Sequence, residues 1–405
     1  MAADFICPFL LFRGYWVRLN AMQKRMTDKK GALPSQMIME MIHAGFISNT
    51  KEENVRPSSL DLSLSGEIYE TEGIFQPKKS ETVEQVLGKI KKKKYSLDKP
   101  LLRDKVYMIR LNERLSLPHS VYGFCNPKST SGRLDVHVRL LADFVSRYDS
   151  IGRGFSGSLW ISVIPRTFPV KLYEGLSLNQ IRFCSVDTRL SDLELEIAMA
   201  RYKLLWRRGA GGEVGGKRGG SAGQKSSPYT YKDLLIKDSD NSLILTLDLE
   251  NKNLGYEGIA SEKNAVDLSK IGFYDSKKFF KPVKKDGNHL RLKKGSFYIL
   301  STHEAVRVPP ELACEMVTMD ERSGDFRSHY AGFIDPGWGW GKNGEGVGRP
   351  LTLEVRPFED LIVRQGQPIA KIRFERVAEI PDSLYDTLDS NYKVQSGPRL
   401  SKHFK

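Results

Sequence analysis

Glu354 stands in the run Leu351-Thr352-Leu353-Glu354-Val355, a carboxylate with apolar neighbours on both sides. If that run is a strand, the carboxylate is partly desolvated, which disfavours its charged form and suits it to shuttling protons to and from a water. An outward-facing Glu on an amphipathic strand is the competing reading, and the run alone leaves both open. Shortly before it comes Ile334-Asp335-Pro336-Gly337-Trp338. Two further strings combine cations with a hydroxyl: Pro127-Lys128-Ser129-Thr130-Ser131-Gly132-Arg133 and Glu321-Arg322-Ser323-Gly324-Asp325-Phe326-Arg327. Both read basic–Ser–x–x–x–Arg after a strand. Two cations, a hydroxyl and free backbone N–H groups make a cradle suited to a polyphosphate, whereas a surface turn with incidental charges is the alternative.

Positioning these groups falls to an internal repeat. Lys105-Val106-Tyr107-Met108-Ile109 followed by Leu115-Ser116-Leu117-Pro118 recurs as Ser296-Phe297-Tyr298-Ile299-Leu300 and Val306-Arg307-Val308-Pro309, a shift of 191 residues from Tyr107 to Tyr298. Leu172-Tyr173-Glu174-Gly175 leading to Ile181-Arg182-Phe183 recurs as Val363-Arg364-Gln365-Gly366 leading to Ile372-Arg373-Phe374. So long a period means duplicated domains, not a solenoid. Inside each copy, short β-former runs such as Leu159–Ile164, Val170–Leu172, Leu351–Val355 and Leu361–Arg364 alternate with Gly and Pro turns, which predicts a barrel or sandwich. Helices are few: one over Pro34–Ala44 stopped by Gly45, and one over Ser191–Trp206 opened by a Ser191/Glu194 capping box. The stretch Arg207–Ser227 is rich in Gly, Ser and Lys, cannot bury a core, and reads as a linker.

Composition narrows the partners. The 405 residues exceed one hydrophobic core, and 40% hydrophobic with 28% charged residues is ordinary for a globular chain. Lys and Arg number 63 against 49 Asp and Glu, and the net charge of +14 favours anionic partners without deciding among them. Four scattered cysteines without a C-x-x-C pair argue against a disulfide framework. No apolar run approaches the roughly 18–20 residues that span a bilayer. Phe5–Phe12 lacks the flanks of a signal peptide, so the expected location is the cytoplasm.

Pro57-Ser58-Ser59-Leu60-Asp61-Leu62, Pro127–Arg133, Arg147-Tyr148-Asp149, Ile334–Trp338 with Glu354, and the tail Asn391-Tyr392-Lys393-Val394-Gln395-Ser396-Gly397-Pro398 together resemble the dCTP deaminase branch of the dUTPase-like superfamily, in its long, two-domain bacterial form, over about residues 32–403. The resemblance implies a mainly β chain of tandem duplicated dUTPase-like β-barrel (β-clip) domains with few short helices. Residues 1–31 would be a disordered extension, 32–206 the first domain, 207–228 the linker and 229–405 the second domain. It implies hydrolytic deamination of dCTP to dUTP and ammonia, supplying dUTP for dUMP and dTTP synthesis, with Glu354 as general base and acid. Ser323 and Arg327 would organise the water, Arg322 would meet the phosphates and Asp335 the sugar, and Tyr385, Lys393 and Gln395 would close the lid. From the first copy, Lys128, Ser129, Arg133, Arg147 and Asp149 are candidate substrate contacts. Mg²⁺ would arrive on the triphosphate, with no metal site of the protein's own.

Zinc chemistry is not expected, because zinc nucleobase deaminases need H-x-E followed by P-C-x-x-C and the sequence has neither. The relatives also imply a homo-oligomer, trimeric in single-domain forms; neither a membrane nor nucleic acid is an expected partner. Departures from the family pattern are instructive. Ser162 stands where the first copy should carry its Glu, and Phe333 where an Arg should precede Asp335; a composite site could therefore combine Arg133 or Arg147 of one copy with Glu354 of the other. Asn391 replaces an expected Lys, and Trp340–Gly348 is a Gly-rich insertion. Two rival readings remain: a dUTP pyrophosphatase or bifunctional dCTP-to-dUMP enzyme on the same fold, and a non-catalytic nucleotide- or nucleic-acid-binding protein.

Overall fold

A computed structural model describes residues 28–207, 226–234, 240–319, 332–388 and 395–405, together with residues 25, 326, 327 and 392. The chain is mainly β. In the first copy an antiparallel sheet runs in the order Val136–Ala142, Ser156–Pro165, Val106–Ser116, Ser59–Thr71, Ser177–Cys184, Tyr122–Pro127, Ser150–Ile151. The long Ser59–Thr71 strand joins the two halves of this sheet. Its first half pairs with Ser177–Cys184 and its second with Val106–Ser116, with the register broken between Leu64 and Ile68. Such a break bends a strand and lets the sheet curl over Leu60, Leu62, Ile109, Ile161 and Ile181, all buried.

The second copy repeats these registers in two sheets, with the long strand divided into Leu243–Thr246, which pairs with Pro368–Arg376, and Tyr256–Gly258, which pairs with Tyr298–Val306. Met108 faces Ser162 in the first, and Ile299 faces Glu354 in the second. Ile181 pairs with Cys125 as Ile372 pairs with Met316. The registers therefore establish Ser162 as the counterpart of Glu354. Each copy also carries the same irregularity, between Arg110 and Arg114 and between Ser301 and Ala305. Within each bulge a glutamate turns inward. Glu113 accepts from the Ser63 amide at 2.9 Å and its hydroxyl at 2.7 Å; Glu304 accepts from the Thr246 amide and hydroxyl, both at 2.7 Å. Burial pushes both carboxyls above the usual range, while these hydrogen bonds pull the other way.

The domain boundaries differ from the expectation. The capping box of Ser191 and Glu194 forms and opens the Asp192–Tyr202 helix, but Leu195, Ala198 and Met199 pack into the second core, and Leu205–Arg207 pairs with Tyr298–Val306. The chain thus changes barrels before Leu190, not at residue 207, because the helix buries its apolar stripe on the second barrel. Conversely Val266, Phe279, Phe297 and Phe404 complete the first core. Residue 31 is not part of a disordered extension either: buried Gly31 donates to Ser185 Oγ at 3.1 Å, and Ala32 bridges Cys184 of one copy and Val377 of the other. Residues 1–24 and 208–225 lie outside the described residues.

The bulge glutamates make a stability prediction. Glu304→Ala orphans the buried Thr246 amide and hydroxyl, and should cost about 1–3 kcal/mol. The midpoint of urea unfolding measures this, and Glu304→Gln, which keeps an acceptor oxygen, should lose distinctly less.

Candidate active site at the junction of the two copies

Glu354 points into a cavity of about 400 Å³ whose walls come from both copies. The first contributes Arg56, Asp61, Lys128, Ser129 and Arg133; the second contributes Asp335, Trp338, Thr352, Glu354 and Tyr385, with Tyr392, Gln395 and Lys402 of the tail. Glu354 sits in the Arg349–Pro357 strand and is 2% exposed, which settles the choice left open by its sequence run in favour of the inward-facing reading. Arg133, 4% exposed, follows the short Ser129–Gly132 helix, and its Nε lies 3.9 Å from Glu354 Oε1. That separation exceeds a direct hydrogen bond and is a charge–charge contact. The other guanidinium nitrogens are held by the tail: Nη1 donates to the Arg399 carbonyl and Nη2 to Gln395 Oε1, each at 3.0 Å, while the guanidinium lies 3.9 Å from the Tyr392 ring centre. Nε has no hydrogen-bond partner among the described residues.

The opposite wall is cationic. Asp61, buried between Leu60 and Leu62, takes an ion pair from Lys128 and a 2.7 Å hydrogen bond from Arg56 Nε. Burial lowers the Lys128 ammonium below its ordinary range, partly offset by Asp61, and lowers Lys402 likewise. Asp335 is reached from the first copy: Ser58 Oγ donates to its Oδ1 at 2.9 Å, and Arg182 lies 3.7 Å away. Burial raises the Asp335 carboxyl above the usual range against the pull of Arg182. Gly337 (φ +92°) turns the chain here, and a Cβ there would meet Leu384 at 2.6 Å. Next to it Trp338 packs against Tyr385 with ring centres 5.0 Å apart.

The cavity therefore gathers Glu354, Asp335, Tyr385, Gln395, Lys128, Ser129 and Arg133. Arg322, Ser323 and Lys393 lie outside the described residues, as does the Arg327 side chain. Backbone register still bears on the second cradle. Arg327 faces Arg356 as His137 faces Ile164, so Arg327 occupies the place of His137 and not of Arg133. Likewise Met319, two residues past Val317, stands where Lys128 stands past Asn126. Arg147 and Asp149 are not brought to Glu354. Phe333–Ile334 pairs as Ser150–Ile151 does, which matches Asp335 with Gly152; Asp149 instead accepts from Arg139 at 2.6 Å beside a separate cavity of about 1230 Å³ that holds Ser162. The spacing of Arg-x-Asp suggested an equivalence that the strand register displaces by three residues.

Sequence reasoning left out Arg56, Asp61, Tyr392 and Lys402 as site residues. Asp61 carried the signal that Glu354 did, a carboxylate flanked by leucines. Arg56 and Lys402 carried none, because only folding brings positions so far apart in the chain to one wall.

Fold and cavity define a two-barrel protein of the dUTPase-like kind with a composite site. The family model described as "2'-deoxycytidine 5'-triphosphate deaminase (DCD) N-terminal domain" matches residues 29–187, and that of the corresponding C-terminal domain matches residues 225–404. The crystal structure of a 2'-deoxycytidine 5'-triphosphate deaminase from Agrobacterium tumefaciens is similar at a TM-score of 0.75 and 30% identity, covering 87% of this chain and 100% of that one. No curated protein matches the chain. The chain belongs to the dCTP deaminase family.

Two expectations follow from the geometry. Arg133→Ala should lower kcat/KM by roughly 10- to 100-fold if the first copy completes the site, since a preorganised charge beside the reacting group is lost; unchanged kinetics would confine the site to the second copy. Lys128 and Lys402 should lose their protons at lower pH than a solvated lysine. Rising pH therefore removes cations from this wall of the cavity, and KM for an anionic substrate should climb on the alkaline side. Lys402→Arg, which does not titrate there, should flatten part of that climb in a KM–pH profile.

Proposed function

We propose that the chain deaminates dCTP to dUTP and ammonia at the composite cavity, with Glu354 as the proton carrier. One observation carries the reading: a buried carboxylate and a buried guanidinium 3.9 Å apart, at the end of a cleft whose other wall is cationic. A water beside Glu354 would lose a proton to the carboxylate as its oxygen bonds to C4 of the cytosine, and Glu354 would pass that proton to N3. Glu354 would then carry the proton of the new hydroxyl to the amino group, so that C4=O forms as the C4–N bond breaks, ammonia leaves and the carboxylate is restored. Arg133, fixed by Gln395 and Tyr392, balances the charge that moves on and off Glu354.

Lys128, Arg56 and Lys402 form the set that suits a triphosphate, with Ser129 as a hydroxyl donor. The site carboxylate nearest them, Asp61, is already held by Lys128 and Arg56. Mg²⁺ would accordingly ride on phosphate oxygens and screen their charge. The zinc-free route rests on the missing H-x-E and C-x-x-C motifs. Asp335 would meet the sugar, and Tyr385 with the tail would cover the nucleotide. Among the described residues no helix is long and apolar enough to cross a membrane.

Glu354→Gln keeps the side chain's shape and removes its proton transfer. dCTP should still bind while kcat falls by the ~10²–10⁴-fold typical of a lost acid–base group. An assay scoring ammonia and pyrophosphate separately, with dCTP and then dUTP as sole substrate, distinguishes deamination from pyrophosphatase activity. Undiminished ammonia release by Glu354→Gln would remove Glu354 from this role.

A further inference from the structure

We infer that Ser58 and Arg182 of the first copy are positioning residues that hold Asp335 of the second copy against the 3′-hydroxyl of the nucleotide. The inference rests on the reading of the cavity as a deoxynucleotide site. Arg182 has no solvent exposure, and its charge is divided with strict direction. Nη1 donates to Glu375 Oε2 at 2.6 Å and faces the Cys314 carbonyl at 3.3 Å. Nε donates to the Ser58 carbonyl at 3.3 Å and Nη2 to Ser58 Oγ at 3.1 Å. The guanidinium is also stacked 4.2 Å from the centre of the Phe333 ring, two residues before Asp335.

Ser58 is the link. A hydroxyl has one hydrogen, and an oxygen that accepts from Arg182 turns that hydrogen elsewhere. Here it goes to Asp335 Oδ1 at 2.9 Å. One carboxylate oxygen is thereby fixed from the neighbouring barrel, while Oδ2 receives no hydrogen bond among the described residues. Asp335 lines the cavity, so Oδ2 is the oxygen left for a ligand. A carboxylate oxygen recognises a hydroxyl hydrogen, and a deoxynucleoside 5′-triphosphate offers a single sugar hydroxyl, at C3′. Arg182 and Ser58 touch neither the ligand nor the reacting atoms. They act through Asp335, and they do so across the junction, so the grip on the sugar depends on how the two barrels sit.

The test compares dCTP with 2′,3′-dideoxycytidine triphosphate, which lacks that hydroxyl. The protein should show a KM for the dideoxy compound higher by roughly 10- to 100-fold, as for a hydrogen bond to a charged group. Ser58→Ala removes one oxygen and leaves the Arg182–Glu375 pair, and it should bring that ratio to within about threefold while kcat for dCTP changes little. Arg182→Gln should narrow the ratio as well, at a cost in stability and kcat because the buried Glu375 loses its cationic partner. Dissociation constants measured by calorimetry in the Glu354→Gln background give the ratio without turnover, should a variant prove slow. If Ser58→Ala keeps the full ratio while Asp335→Ala abolishes it, Asp335 meets the sugar unaided and the positioning role is overturned. If Asp335→Ala also keeps it, the sugar contact itself is wrong. Absence of ammonia from dCTP with the unaltered protein would instead overturn the deaminase reading, before any variant is compared.

Discussion

The guanidinium of Arg182 is a full charge with no access to water, and the junction of the two barrels is organised around satisfying it. Taking such a charge out of water costs several kcal/mol unless nearly every donor finds a partner. The partners come from both copies: Ser58 from its own, and Glu375, the Cys314 carbonyl and the Phe333 ring from the other. Glu375 is in turn held by Thr188 at 2.6 Å. A sliding or hinging of one barrel on the other would strand the charge. The composite cavity inherits that rigidity, since Asp335 hangs from the same network and Glu354 meets Arg133 across the same seam.

Duplication has preserved the frame and changed the residues that face the seam. The two copies share strand registers, the same bulge and the same inward glutamate, Glu113 or Glu304, accepting from a Ser or Thr on the facing strand. These features close a barrel and concern neither a ligand nor the partner copy. The site residues do concern the partner, and there the copies part. The first keeps Lys128, Ser129 and Arg133 but has Ser162 opposite Met108; the second keeps Glu354 opposite Ile299 but has Met319 in the place of Lys128. The first copy lines the cleft with Arg56, Lys128 and Arg133 and the second with Asp335 and Glu354, joined by Lys402 of the tail, so both sides of the seam contribute charged groups.

The tail joins the same seam. Arg133 is held by Gln395 and the Arg399 carbonyl, Ser401 donates to the Thr130 carbonyl at 3.0 Å, and Phe404 is buried in the first core. Residues that a lid reading would place over a ligand are thus anchored beyond it by an aromatic plug. The anchorage makes Arg133 a residue set by tail packing as much as by its own helix. Arg349, paired twice with Asp386 at 2.7 and 2.8 Å, ties the Glu354 strand to the segment carrying Tyr385.

The sequence by itself determined the β class and the duplication, and it singled out Glu354 and the basic string ending at Arg133, because period-2 patterns, a repeat of constant spacing and clustered residue types are legible along the chain. It also contained the asymmetry of Ser162 and Glu354, which the register of Met108 and Ile299 then aligned. It misplaced what depends on counting through loops: Arg147 and Asp149 matched the spacing around Asp335 but not the strand pairing, and the Asp192–Tyr202 helix followed the first copy in sequence while burying its face on the second. Only the tertiary structure decided that Arg56, Asp61 and Lys402 share a wall, that Arg133 of one copy faces Glu354 of the other, and that Arg182 reaches Asp335 through Ser58. Those contacts join residues up to hundreds of positions apart, and their partners are chosen by the way two closed barrels meet, a geometry that no local pattern encodes.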